Sequence, residues 1–315
     1  MKLVTYEAAR QSRLGVVEGE VVVDVAGAFS QIPKGRIADA KVAAAAKVLR
    51  KLGRPPQDMR ELLGLGEGYR KALRVMTAGI AARGKGPKGL LTPLGSARLR
   101  APLAKPDKIV CVGLNYADHA REQGGEPPAA PIFFLKSSNT ICGPGDPIKL
   151  PPNSTQVDYE AELAVVIGKR GREIAEDEAH KYIAGYTILN DVSARDMQFG
   201  DKQWYRGKSC DTFAPTGPWI VTADEIADPH NLRIALTLNG ETMQDSSTSN
   251  LIFRIPFLIS YLSQSVTWEV GDLISTGTPA GVGVFRKPPV FLKPGDSVSV
   301  SVEGIGTLTN PVVGP

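Results

Sequence analysis

The amino-acid sequence predicts an α+β protein, with a small N-terminal α+β domain over residues 1–104 and a larger β-rich domain over 105–315. Three observations carry this. The 315 residues are too many for one ordinary domain and comfortable for two. Gly and Pro are plentiful, at 33 and 24, and aromatic residues are few, which suits short strands and turns better than a helical bundle. The apolar pattern also changes along the chain, from helical spacing before residue 84 to strand-like runs after residue 89.

Taken in order, residues 2–6 and 16–25 read as short strands, the second built on Val21, Val22 and Val23. From Ala38 to about Arg83 the pattern is helical: 41–52 is Ala-rich, 61–82 repeats apolar residues at helical spacing, and Pro55 and Pro56 separate the two runs. The Gly- and Lys-rich stretch 84–89 reads as a linker. Beyond it, 108–113, 132–135, 162–167, 186–189, 219–221, 232–238, 273–276 and 297–302 are short, β-branched or alternating, and bounded by Gly, Pro, Asp or Asn. Helices are expected only at 118–123, 176–183 and 256–262 in this part. No internal repeat stands out.

Charge is unevenly spread. Residues 1–105 carry 20 Lys and Arg against 8 Asp and Glu, and the remainder 17 against 25. The basic residues are interleaved with Ala and Leu rather than with aromatics that could stack on bases, so nucleic acid is not an expected partner. Cys111, Cys142 and Cys210 are widely spaced with no C-x-x-C, which argues against a disulfide framework or a zinc site and for a reducing compartment. The first ten residues lack the apolar core of a secretory signal, and no run is long and apolar enough to span a bilayer. A cytoplasmic location away from membranes is the expectation.

The chemistry concentrates in two segments. In Val157-Asp158-Tyr159-Glu160-Ala161-Glu162, side chains two apart share one strand face, so Glu160 and Glu162 point the same way, joined by Asp158 if the strand reaches that far. Standing alone, such a pair fits a solvated strand face. A second strand ends about thirty residues later in Asn190-Asp191, followed by the polar run Ser193-Ala194-Arg195-Asp196. Three carboxylates without a nearby Cys or His suit a hard, oxygen-liganded cation.

Those segments resemble successive motifs of the fumarylacetoacetate hydrolase superfamily. The likeness runs in order through Asn115-Tyr116-Ala117-Asp118-His119-Ala120-Arg121-Glu122, Glu160-Ala161-Glu162, Asn190-Asp191-Val192-Ser193-Ala194-Arg195-Asp196, Gly207-Lys208-Ser209 and Thr276-Gly277-Thr278-Pro279. The resemblance implies a mixed β-sandwich roll for residues 105–315. It implies Glu160, Glu162 and Asp191 as ligands of Mg²⁺ or Mn²⁺, and His119 with Glu122 as a base dyad. Lys208 is then set near a developing enolate, Arg195, Gln198 and Thr278 contact the substrate, and Lys136 stands nearby. A homodimer acting on a small 2-oxo acid is the expected assembly and partner. The leading expectation is metal-dependent hydrolysis of a C–C bond in a 2,4-dioxo acid of the acylpyruvate kind. Oxaloacetate decarboxylation or keto–enol tautomerisation at the same site is the alternative, and a nucleic-acid metalloenzyme or an inactive scaffold are the rivals from other classes.

Other signals carry little. Gly79-x-x-x-x-Gly84-Lys85 is followed by Gly86 where a phosphate-binding loop needs Ser or Thr. Cys210 reads as a packed thiol, His180 and His230 as structural or surface residues, and no G-x-S-x-G is present.

Overall fold

The computed structural model describes residues 1–8, 10–32 and 39–315, so the helix start expected at Ala38 lies outside the described residues. A 12-stranded mixed sheet packs against a 5-stranded sheet. The main path of the large sheet runs Leu91–Pro93, Val21–Asp24, Gln11–Glu18, Lys2–Ala8, Ala214–Thr222, Ile183–Asn190, Ala161–Ile167, Leu273–Ser275, Ile109–Gly113, Ile132–Lys136. The N-terminal strands belong to this sheet, since Lys2 pairs with Val221 and Leu3 with Ile220. The expected boundary at 104/105 falls in the loop before Ile109–Gly113, and the sheet is continuous across it.

The central strand Ala161–Ile167 explains its own composition. Leu163, Val165 and Ile167 face the small sheet, packing with Ile234, Leu236, Val298 and Val300. Ala164 and Val166 face the other way, toward Leu49, Leu73 and Met76 on the helices Ala40–Arg50 and Gly66–Arg83. A strand covered on both faces has no polar alternation left, which is why the run from Leu163 to Ile167 is wholly apolar. Each buried Leu, Val or Ile side chain here contributes about 1.5–3 kcal/mol of transfer free energy.

Several local readings change. Residues 16–25 are not one strand: Gln11–Glu18 and Val21–Asp24 form a hairpin whose turn includes Gly19 at φ +58°, a conformation that favours glycine. Asp24 then caps the short helix Val25–Ser30 through the Gly27 amide. The stretch 84–89 is a turn rather than a linker, because Leu91–Pro93 pairs back onto Val21–Val23 within the N-terminal region. Two helices beyond those expected, Arg195–Asp201 and Tyr205–Lys208, occupy the polar run after Asp191. The strands Glu241–Ser247 and Gly306–Val313 were also unforeseen, being largely exposed on one side and weakly apolar.

Candidate active site

The large sheet brings its two acidic segments together by antiparallel pairing. Ala161 lies opposite Asn190 and Glu162 opposite Leu189. The regular strand begins at Ala161, so Glu160 sits just ahead of it, fixed by its amide donating to Asn190 Oδ1 and its carbonyl accepting from the Asp191 amide. Glu160, Glu162 and Asp191 are all buried, and one carboxylate oxygen from each lies within 4.8 Å of the others.

Three cations surround them. Lys208 Nζ donates to Glu160 Oε2 and Asp191 Oδ2, each at 2.8 Å, and lies 5.0 Å over the Phe134 ring. Lys136 Nζ donates to Asp191 Oδ1 at 2.5 Å and to the Val192 carbonyl at 3.0 Å. Arg195 bridges Asp158 at 2.8 Å and Glu160 at 2.7 Å, and also donates to Gln198 Oε1 at 3.0 Å. Asp158 therefore serves as counter-ion to Arg195, with further bonds from the Gly283 and Val284 amides, and does not join the triad.

The electrostatics are unequal within the triad. Burial alone would raise the Glu160 pKa, but Lys208 and Arg195 beside it hold the carboxyl at about 2. Glu162 has no such partner: burial, then Asp191 and Glu160, push its pKa well up. Burial opposes the charge on Lys208, and Asp191 and Glu160 outweigh it, so its pKa rises. Four buried carboxyl groups against three buried cations leave one without a counter-charge, and the raised pKa of Glu162 marks it as that one. An all-oxygen donor set with an uncompensated carboxylate fits a divalent cation of the Mg²⁺ or Mn²⁺ kind.

Beside the triad a cavity of about 80 Å³ opens, walled by Phe134, Phe199, Trp204 and Phe285 and lined also by His119, Arg195, Gln198, Lys208 and Thr278. The helix Ala117–Glu122 carries His119 and Glu122. His119 Nδ1 lies 2.9 Å from Glu122 Oε2, and Glu122 Oε1 accepts from the Gly281 amide at 2.9 Å. The Nε2 face meets Gln123 Nε2 at 2.8 Å. These partners assign the proton to Nδ1, donated to the carboxylate, and leave Nε2 as the acceptor and the basic nitrogen.

Seven of the nine site residues expected from the sequence line one cavity, and the other two, Glu122 and Asp191, bond to lining residues, His119 and Lys208, with Lys136 on Asp191. Reading the sequence missed three positioning residues. Gln244 accepts from the Ala161 amide and donates to Thr278 Oγ1 and the Pro279 carbonyl, tying the small sheet to the loop that carries Thr278. Asn115 donates to the Phe253 and Thr276 carbonyls and accepts from the Phe253 amide. Gln123 caps the His119 ring. Only Asn115, inside a quoted motif, carried any signal. Gly277, at φ +101°, donates its amide to Glu162 Oε2 at 3.0 Å, and a Cβ there would stand 2.9 Å from Asn115 Cβ.

An α+β fold that gathers a buried carboxylate triad beside a histidine–glutamate pair defines a class of small-molecule enzyme built for a divalent cation. The chain belongs to the fumarylacetoacetate hydrolase family: the model of the fumarylacetoacetate (FAA) hydrolase C-terminal domain matches residues 108–313. It is 50% identical over 260 residues to "Oxaloacetate tautomerase FAHD2A, mitochondrial" of Bos taurus, covering 82% of this chain and 80% of that protein. Among solved structures it is similar to the fumarylacetoacetate hydrolase of Exiguobacterium antarcticum, with TM-score 0.76, 34% identity and full coverage of both chains. It is similar also to the maleylpyruvate hydrolase of Sphingobium sp. SYK-6, with TM-score 0.76, 31% identity and full coverage of both. The protein is an enzyme with isomerase or hydrolase chemistry.

The expected cytoplasmic location is overturned by the bovine and human relatives, which are named as mitochondrial. Cysteine usage and the lack of long apolar runs, on which the expectation rested, do not separate one reducing compartment from another.

Proposed function

We propose that the chain is a keto–enol tautomerase of oxaloacetate, in preference to the C–C hydrolase that the motifs alone favoured. The observation that carries this reading is the 50% identity with a protein named for that activity, over four fifths of both chains. Arg195 and Lys208 on the cavity wall offer positive charge to a dicarboxylate. Residues 105–315 are proposed as the catalytic part, with 1–104 as a smaller appended domain.

Glu160, Glu162 and Asp191 would hold Mg²⁺ or Mn²⁺. When bound, that cation supplies Lewis-acid polarisation of the 2-oxo group. Arg195, Gln198 and Thr278 bind the substrate carboxylates and fix its orientation. His119 Nε2, once Gln123 yields to substrate, takes the proton from C3 of the keto form, and Glu122 stabilises the imidazolium that results. Lys208 faces the oxygen where negative charge gathers. Return of the proton from His119 to that oxygen completes the enol, and the reverse sequence restores the ketone.

A stopped-flow assay on fresh enol oxaloacetate tests this. The expected result is rapid, metal-dependent loss of enol absorbance with no pyruvate formed. The likeness to a maleylpyruvate hydrolase supports a second reading, in which His119 deprotonates water. Faster cleavage of acylpyruvates than enol turnover would favour that reading and sink the first.

We also propose a homodimer. Ile132–Lys136 closes one end of the large sheet, and the exposed Leu135, with Phe133 stacked on the exposed Tyr261, forms an apolar edge. Light scattering should give twice the chain mass, falling to the monomer in Leu135→Asp; a monomeric parent would remove the proposal.

A further inference from the structure

We propose a second ligand site, for a small polyanion bearing two or more phosphate or carboxylate groups, in the basic pocket between the helix Gly66–Arg83 and the far ends of the two carboxylate strands. Its volume is about 600 Å³, and Arg70, Lys71, Arg74, Lys169, His180 and Lys181 line it against only two acids, Glu67 and Asp224. Nothing in the reaction proposed above uses these residues, and the inference does not depend on it.

The lining acids are already committed. Glu67 pairs with Lys71, and Asp224 with Arg74, which also meets Glu225. Lys181 pairs with Glu178, outside the lining. Among the described residues, no ion pair holds Arg70 or Lys169. Arg70 Nη1 donates to the Leu63 carbonyl, and Lys169 lies 4.8 Å over the Tyr182 ring. Burial pushes the Arg70 pKa down, against the opposing pull of Glu67 and Asp224. The pocket also takes in Gly66 and Glu67, in the first turn of a helix with no side-chain cap, whose amides add positive potential to that of the cations.

The ligand class follows from the lining. Several cations converge from three places, the helix Gly66–Arg83, the turn after Ala161–Ile167 and the short helix Glu176–Tyr182, which favours a ligand with charges at more than one point. No Phe, Tyr or Trp side chain lines the pocket, so charge rather than base stacking dominates its lining. The position ties the pocket to the active site through backbone. Gly168 ends the strand that carries Glu162, and Ile183 and Ala184 begin the strand that leads to Asp191. The two pockets therefore lie at opposite ends of the same paired strands, roughly 25 Å apart at a strand rise of about 3.3 Å.

The test is calorimetric titration of the metal-free protein with inorganic pyrophosphate and, separately, citrate, at ionic strength matched with sodium chloride. One saturable site is expected for at least one probe, and the better probe identifies phosphate or carboxylate as the preferred group. Lys169→Glu, a surface reversal remote from the reacting groups, should weaken binding by about tenfold or more while leaving basal turnover unchanged. Arg70→Gln should weaken it similarly. Affinity unaltered in both variants, or no saturable binding of either probe at millimolar concentration, would overturn the proposal. Binding at the active site would survive both substitutions, so it cannot imitate the expected result.

Discussion

Glu162→Gln abolishes turnover, by about 10³-fold or more, and removes tight binding of Mn²⁺ while leaving the metal-free protein folded. The expectation rests on where the missing charge sits. Glu160 and Asp191 are each held by buried cations, Lys208 and Arg195 on the first and Lys208 and Lys136 on the second. Glu162 receives the Gly277 amide and lies beside the Ser275 hydroxyl, with no direct ion pair among the described residues, and it faces two other carboxylates. In the proposed site it is the carboxyl group that burial and its neighbours keep from ionising until a cation arrives, so its loss removes the largest share of the attraction. Gln keeps the shape, can accept the same amide and carries no charge, as the raised pKa of Glu162 favours without a cation. The metal-free variant should therefore melt no lower than the parent. Mn²⁺ should raise the melting temperature of the parent and not that of the variant, since only a ligand that binds the native state stabilises it. Full turnover of Glu162→Gln in the presence of a chelator would refute the assignment.

How far the sequence revealed this site depended on whether a residue acts through local spacing or through the fold. Glu160 and Glu162 were legible because a strand repeats every two residues, and His119 with Glu122 because a helix puts residues three apart on one face. The carboxylate of Asp158 has the right parity to join the first pair, but the chain leaves regular pairing between Asp158 and Ala161. Asp158 pairs instead with Ser193 on a separate two-stranded ribbon beside Arg195. No local rule foretold that departure. Gln244 lies on a half-exposed strand of the other sheet, and its partners are about 35 to 80 residues away, so only the packed fold reveals it. The same holds for the basic pocket. The positive charge of the first third was plain, but its convergence on Lys169 and Lys181 needed the helix Gly66–Arg83 to dock on the strands. The division into two parts was read from a change of periodicity, whereas hydrogen bonding joins the N-terminal strands to the large sheet.

His119→Asn should slow enol-to-keto conversion of oxaloacetate by about 10²–10⁴-fold, the usual contribution of a positioned general base. Both directions of the tautomerisation need a group that holds a proton between C3 and the oxygen. Among the charged and imidazole groups lining the cavity, His119 is the one whose basic nitrogen has only an amide as its present partner. Lys208 and Arg195 stay charged against Glu160, and Glu160 and Glu162 belong to the triad. Asn resembles the ring in polarity but cannot relay a proton, so oxalate should still bind in the presence of Mn²⁺ with nearly the parent affinity. Glu122→Gln should lose less. It keeps contact with the Gly281 amide and the ring, but it no longer stabilises the imidazolium. Measured side by side, the two variants separate the possible reactions. A large loss in His119→Asn for enol turnover, with slow metal-assisted decarboxylation left intact, fits proton transfer as the catalysed step. A large loss for acylpyruvate cleavage alone would instead assign His119 to an attacking water. Parent-like rates with both substrates would show that the pair orders the loop without entering the chemistry.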